Sequence, residues 1–149
     1  MLTLSAVLHD EGKRAKIWQR AFHAPTDDIY AKTRRRPSIA LLGGYRHELG
    51  SLPRAERDAR VQALDDDLRD LCLHLIAAHH GHARPVLRTD GAEEPPSSLE
   101  VRAQDIALRY ARLERRWGAW GLAWWEALLR AADQQASRDN DELGATDHG

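Results

Sequence analysis

The sequence predicts an all-α protein, a compact bundle of five or six helices that forms one domain. Apolar residues recur at helical spacing in several segments, and no segment alternates apolar and polar residues as a strand does. A length of 149 residues is typical of one domain with one core. The bundle is expected over residues 1–137, and the polar residues 138–149 are expected to form a frayed tail.

The first third of the chain predicts two short helices and then an irregular stretch. Residues 2–9 form a short, apolar segment. Helical spacing continues in the next segment, at Ile17, Trp18, Ala21 and Phe22. Residues 24–43 contain Pro25, Pro37 and a basic run, Arg34–Arg36, and are expected to be irregular.

A long helix is predicted from about Pro53 to about His80. Proline is favoured in the first turn of a helix, and a one-sided apolar stripe follows it. The stripe consists of Val61, Leu64, Leu68, Leu71, Cys72, Leu75 and Ile76. Residues 88–98 are polar and proline-rich, which predicts a linker.

Two more helices are predicted in the last third. Ser97 and Glu100 match a capping box, which starts a helix that runs to about Trp117. Gly118 and Gly121 interrupt the helical pattern. The final helix then continues to the start of the polar tail.

Composition excludes several classes of protein. The chain has 22 Lys and Arg against 23 Asp and Glu, so bulk charge does not hold it on nucleic acid. Its single cysteine, Cys72, excludes internal disulfides and four-cysteine zinc sites. No apolar run is long enough to span a bilayer, and residues 1–14 lack the features of a signal peptide. We therefore expect a cytoplasmic protein.

Two adjacent histidines end the predicted long helix. His79 falls near the middle of the apolar stripe, and His80 lies at its rim, in line with Cys72 and Ile76. Gly81 follows as a stop signal. One interpretation is a core histidine bonded to a carbonyl. The pair favours a metal site instead, because imidazole nitrogen is a good ligand for several divalent ions.

Two acidic residues border apolar helix faces. Asp10 directly follows His9 at the end of an apolar segment, where a buried carboxylate is costly unless it is paired or metal-bound. The alternative is a simple helix cap. Asp133 lies one turn after Leu129, near the apolar face of the last helix. A metal, an ion pair with Arg130 or exposure at the rim would each explain it.

A third histidine lies in the segment GGYRHE, where the glycines predict a turn that leads into a helix. His47 is a candidate metal ligand there, and Glu48 is a candidate acceptor that would orient it. The alternative is a surface histidine at a helix start.

These segments follow one another as an ordered series: HDEGK, GGYRHE, AAHHG and LLRAAD. In this order, and with the late segment WGLAWWEALLRAADQQAS, the chain resembles the HD phosphohydrolase superfamily. It closely resembles the HD nuclease domain of the CRISPR-associated type I nuclease-helicase. The resemblance extends from about His9 to Ser137 and implies the helical bundle of HD domains.

The resemblance implies a metal-dependent nuclease, an endonuclease or exonuclease that hydrolyses single-stranded DNA in CRISPR antiviral interference. Asp10 would bridge two divalent ions, and Lys13 would lie near the scissile phosphate, so that these two are the predicted catalytic residues. The ligands would be His9 and Asp133 at the first ion, and His47, His79 and His80 at the second. Nitrogen-rich ligation favours Mn, Ni, Co or Fe over Mg alone.

The resemblance also implies partners. Single-stranded DNA would be delivered by a CRISPR helicase, fused or separate, and by an RNA-guided surveillance complex, with no membrane involved. The sequence has no GxxxxGK[ST] phosphate loop, so it contains no helicase motor. Two alternatives remain: an HD phosphohydrolase that acts on nucleotides, and a non-catalytic remnant that docks a helicase partner.

The sequence departs from the family at one ligand. In the family a further histidine comes from a helix upstream of the His-Asp pair, but none of the eight residues before His9 is a histidine. We expect that the chain lacks the first helix of the family, as a truncated start or fragment would. The alternatives are a defective first metal site and a substitute ligand from among His23, His74 and His82.

Two other features have competing interpretations. The tryptophans Trp117, Trp120, Trp124 and Trp125 could stack on single-stranded bases, but their helical spacing favours packing between helices. The basic run Arg34–Arg36 could guide a phosphate backbone or belong to a solvated loop.

Overall fold

The computed structural model describes residues 1–32, 36–81 and 96–146. These residues form helices, turns and loops and contain no strand, so the all-α prediction is confirmed. The first part has four short helical elements: α1 (Leu2–Leu8), a 3₁₀ turn (Glu11–Arg14), α2 (Lys16–Ala21) and α3 (Ile39–Leu42). The two predicted short helices are therefore present, and α3 adds a single turn inside the stretch that was expected to be irregular.

The prediction of one long helix from Pro53 is wrong. Three helices occupy this region: α4 (His47–Arg57), α5 (Ala59–Gln62) and α6 (Asp66–Ala78). Asp58 and Asp65 separate them, because each has extended backbone and accepts a backbone N–H of the next helix with its side chain. Pro53 is not in a first turn but inside α4.

The last helix, α7 (Pro96–Thr146), is divided at Gly118. Its φ of 67° and ψ of 164° are not helical, and glycine adopts such a positive φ without steric cost. The predicted interruption is confirmed at Gly118, whereas Gly121 lies within the second half of the helix.

Both ends of α7 differ from expectation. It begins at Pro96, one residue before the predicted cap Ser97, whose side chain lies outside the described part of the chain. Residues 88–95 of the predicted linker also lie outside it. At the other end α7 continues to Thr146, so the segment expected to fray after Ser137 begins as helix.

Helix α6 is the centre of the bundle, and all its residues from Leu71 to Ala78 are buried. One side packs on α1 and α4 through a cluster that includes Leu8, Leu52, Cys72 and Ile76. The other side packs on α7, through Leu71, Leu75, Leu113, Leu122 and Leu129. The C-terminal end of α6 therefore lies between the end of α1, the start of α4 and the second half of α7.

Candidate metal centre

The 3₁₀ turn after α1 packs tightly against the start of α4. An added Cβ at Gly12 would clash with the backbone carbonyl of His47, so only glycine allows this approach. The Ser51 hydroxyl accepts the Gly12 N–H at 2.8 Å and lies 2.7 Å from the His9 carbonyl oxygen. The Tyr45 hydroxyl donates to the Gly12 carbonyl at 2.8 Å. These contacts fix the predicted His-Asp pair relative to α4.

Asp10 lies between two imidazoles. Its Oδ2 is 3.5 Å from His9 Nε2, and its Oδ1 is 3.2 Å from His47 Nε2. Lys13 Nζ donates to Oδ2 at 2.6 Å. Burial by itself raises the pKa of Asp10, but the hydrogen bonds from His47 and Lys13 outweigh it and hold this pKa below its ordinary value. Asp10 is therefore a carboxylate at neutral pH.

Three histidine nitrogens converge beside Asp10. His47 Nε2 lies 3.4 Å from His79 Nε2 and 3.1 Å from His80 Nε2. His79 Nδ1 donates to the Ile76 carbonyl at 2.7 Å, which leaves a lone pair on its Nε2. Burial lowers the pKa of His79 to about 4 and also lowers that of His80, with further repulsion from neighbouring histidines. His79 is thus neutral at pH 7, and the lone pair on its Nε2 can bind a metal ion.

His9 presents a second donor atom to the same region. Its Nδ1 lies 2.7 Å from the Ala6 carbonyl, to which it donates, and so its Nε2 is unprotonated in the neutral ring. That Nε2 is buried and has no hydrogen-bond partner among the described residues. Asp133 Oδ1 lies 3.3 Å from it, at the edge of the bundle. Asp133 thus faces His9 and not Arg130, and a buried lone pair among carboxylates fits a cation.

The donor atoms form two overlapping clusters, within each of which all ligand atoms lie within 4.8 Å of one another. One consists of His47, His79 and His80, and the other consists of His9, Asp10 and His79. Nitrogen and carboxylate donors in such clusters can hold a divalent metal ion. All six predicted ligands therefore meet in one region, but His79 belongs to both clusters rather than to one.

Glu48 does not orient His47 as expected. Its Oε2 lies 4.0 Å from His47 Nδ1, which is too long for a hydrogen bond. Instead Arg46 Nε donates to Glu48 Oε1 at 2.7 Å. Although burial raises the pKa of Glu48, this bond and a bond to its own backbone hold it below the ordinary value. The His47 ring packs edge-on against Trp18, with 5.0 Å between ring centroids.

Neither described candidate for a substitute ligand, His23 or His74, joins a donor cluster. His74 Nε2 lies 2.8 Å from Glu126 Oε1 in the core, so it is engaged away from the cluster. His23 is exposed and belongs to neither donor cluster. His82 lies outside the described residues.

The four tryptophans of α7 divide into two pairs. Trp117 and Trp125 pack against the core and against each other, as the packing interpretation predicted. Trp120 and Trp124 are exposed, by 90% and 57%. Arg34 and Arg35 of the basic run lie outside the described residues.

Sequence reasoning missed one residue that organises the site. Ser51 is fully buried and joins the 3₁₀ turn to α4. Its position four residues after His47, and hence on the same side of a helix, was the available signal.

The described helices include none that is both long and apolar enough to cross a membrane. Comparisons of the chain with protein-family models, with curated proteins and with solved structures gave no match.

Proposed function

We propose that this chain is a metal-dependent phosphodiesterase of the HD type, a nuclease that acts on single-stranded DNA in CRISPR interference. One observation supports this most strongly: each oxygen of Asp10 faces a different imidazole, that of His9 or that of His47. A carboxylate placed in this way suits a bridge between two ions, and two-metal hydrolases hold their ions about 3.5–4 Å apart.

The donor set divides between the two sides of Asp10. On one side His9 and Asp133 would serve the first ion. On the other side His47, His79 and His80 would serve the second, and the closeness of His79 to both clusters makes the centre compact. Mostly nitrogen ligation favours Mn, Ni, Co or Fe over Mg alone.

Divalent ions at this centre would supply Lewis-acid activation of a phosphoryl oxygen and of the attacking water. The chain's own contribution is to hold and balance charge. Asp10 and Asp133 bring two carboxylates to the centre, and Lys13 Nζ lies 2.6 Å from Asp10. Lys13 would offset the negative charge of the scissile phosphate at the edge of the site.

The choice of substrate and partners follows from the resemblance of residues His9–Ser137 to the CRISPR nuclease domain. A net charge of -1 offers little general affinity for DNA, which fits a nuclease whose substrate arrives through other proteins. We therefore propose a CRISPR helicase and an RNA-guided surveillance complex as partners, and a cytoplasmic location.

Cleavage by the purified chain with Mn²⁺ or Ni²⁺ tests the proposal, with single-stranded DNA compared against a panel of nucleotides. DNA cleavage that Asp10→Asn abolishes is expected, while the exposed Asp139→Asn variant on α7 retains activity. Turnover of nucleotides with intact DNA would instead identify an HD nucleotide phosphohydrolase. A chain that neither binds metal nor cleaves would be a remnant that only docks a partner.

A further inference from the structure

A cavity of about 520 Å³ opens beside the candidate metal centre. It meets the centre at Asp10 and Lys13, and its other walls come from α1, the 3₁₀ turn and residues 27–31. Its volume lies within the range of about 300–1,000 Å³ that is usual for small-ligand sites. The roles proposed above for the metal ligands and for Lys13 do not involve this cavity.

The segment that forms the outer wall of this cavity, residues 27–31, contacts α2 through Tyr30. The Tyr30 N–H donates to Gln19 Oε1 at 2.8 Å, and Gln19 Nε2 donates back to the Tyr30 carbonyl at 3.1 Å. Trp18 Nε1 donates to the same carbonyl at 3.2 Å. Lys32 Nζ lies 3.4 Å from the Ser137 hydroxyl of α7. These hydrogen bonds tie Tyr30, which directly follows the lining residue Ile29, to α2.

The lining combines apolar surface with exposed carboxylates. Val7 and Ile29 line the cavity and are 56% and 55% exposed. Asp27 and Asp28 also line it, and neither carboxylate has an ion pair or hydrogen bond among the described residues. The other two acidic groups of the lining are engaged by Lys13 and Arg14. A flat, partly apolar ligand that carries hydrogen-bond donors fits this lining.

We propose that the cavity binds the base of the nucleotide next to the scissile phosphate, and that it prefers cytosine over thymine. This inference depends on the proposed nuclease function. The carboxylates of Asp27 and Asp28 can accept the amino group of cytosine, whereas thymine presents a carbonyl oxygen at the same position. The same carboxylates repel phosphate, so the backbone would lie on the side of Lys13.

Binding of single nucleotides tests the subsite without requiring turnover. The full chain is titrated with deoxycytidine or thymidine monophosphate in the presence of Zn²⁺, a diamagnetic ion, and the methyl signals of Val7 and Ile29 are followed by NMR. Both signals should shift with deoxycytidine monophosphate, at a Kd about tenfold lower than that of thymidine monophosphate.

Paired variants identify the groups responsible. The double variant Asp27→Asn and Asp28→Asn should bring the two Kd values together, because an amide can donate to thymine as well as accept from cytosine. A control changes Asp66 and Asp67 to Asn, an adjacent acidic pair in the first turn of α6 that contacts Arg69 and Arg116, and should keep the preference.

Equal Kd values for the two nucleotides, or unmoved Val7 and Ile29 signals, would overturn the subsite. So would a control pair that removes the preference as fully as the cavity pair does. If the chain cleaves DNA but binds both nucleotides equally, only the proposed subsite is contradicted. If the chain binds deoxycytidine monophosphate in the cavity but cleaves no DNA with Mn²⁺, only the proposed nuclease function is contradicted.

Discussion

His9 Nε2 lies 3.3 Å from Asp133 Oδ1, although His9 directly follows the first helix, α1, and Asp133 lies in the last, α7. Packing of α7 on α6 produces this approach. Leu129, one turn before Asp133, is fully buried in the cluster that contains Leu71 and Leu75 of α6. The candidate metal centre therefore depends on the docking of α7 as well as on the identity of its ligands.

If the proposed two-ion centre forms, replacement of Asp133 should weaken its first ion site and spare the second. Loss of a group that only orients a ligand already costs about 10–100-fold in metal affinity, so Asp133→Ala should cost at least as much at the first site. Titration with Mn²⁺ by calorimetry would then show one tight ion in place of two. Asp139→Ala, an exposed change on the same helix, is the control. Unchanged binding of two ions by the Asp133 variant would contradict its role as a ligand.

Gly12→Ala should destabilise the protein, because a methyl group there would clash with the rigid backbone at His47. Overpacking of this kind costs about 1–3 kcal/mol, which urea denaturation measures directly. Gly43→Asn is a matched control, since Gly43 has a φ of 54° that asparagine tolerates and open space around it. Equal stability of the Gly12 variant and the unmodified chain would show that the turn can move away from α4.

His74→Leu should destabilise the core by about 3 kcal/mol, because the buried carboxylate of Glu126 loses its histidine partner. His74→Gln, which keeps a side-chain N–H donor, should cost less. Denaturation of both variants gives the comparison, and the number of bound metal ions should stay unchanged. A loss of metal binding in a folded His74→Gln variant would contradict the assignment of His74 to the core.

The pH dependence of folding should include a contribution from Asp58. Hydrogen bonds from the Arg60 side chain and backbone lower the pKa of Asp58 from 3.8 to about 2. Since the folded pKa is the lower one, this contribution is present above pH 3.8 and is lost as the pH falls through about 2. An NMR titration of the carboxyl carbon should report the low pKa, and Arg60→Ala should raise it. An unchanged titration in that variant would contradict the stated cause.

Local pattern predicted the two short helices α1 and α2, and the donor residues that it singled out lie close together in the structure. The apolar stripe placed His79 inside and His80 at the rim, and the structure buries the first and exposes the second. The same stripe wrongly predicted a continuous helix through residues 58–65. Asp58 and Asp65 each end one helical segment by capping the next, since their side chains accept the backbone N–H groups of Arg60 and Leu68. Hydrophobic periodicity does not detect such hydrogen bonds.

Residues close together in the chain were enough to predict most helical segments and the side chains that carry metal-binding atoms, although they did not predict the helix breaks at Asp58 and Asp65. Only the packing of distant segments brings His79 into both donor clusters and places Asp133 opposite His9. Helical spacing shows which face of a helix is apolar but not which helix covers it. The distances between ligand atoms at the candidate metal centre depend on how α7 and the 3₁₀ turn pack around the end of α6.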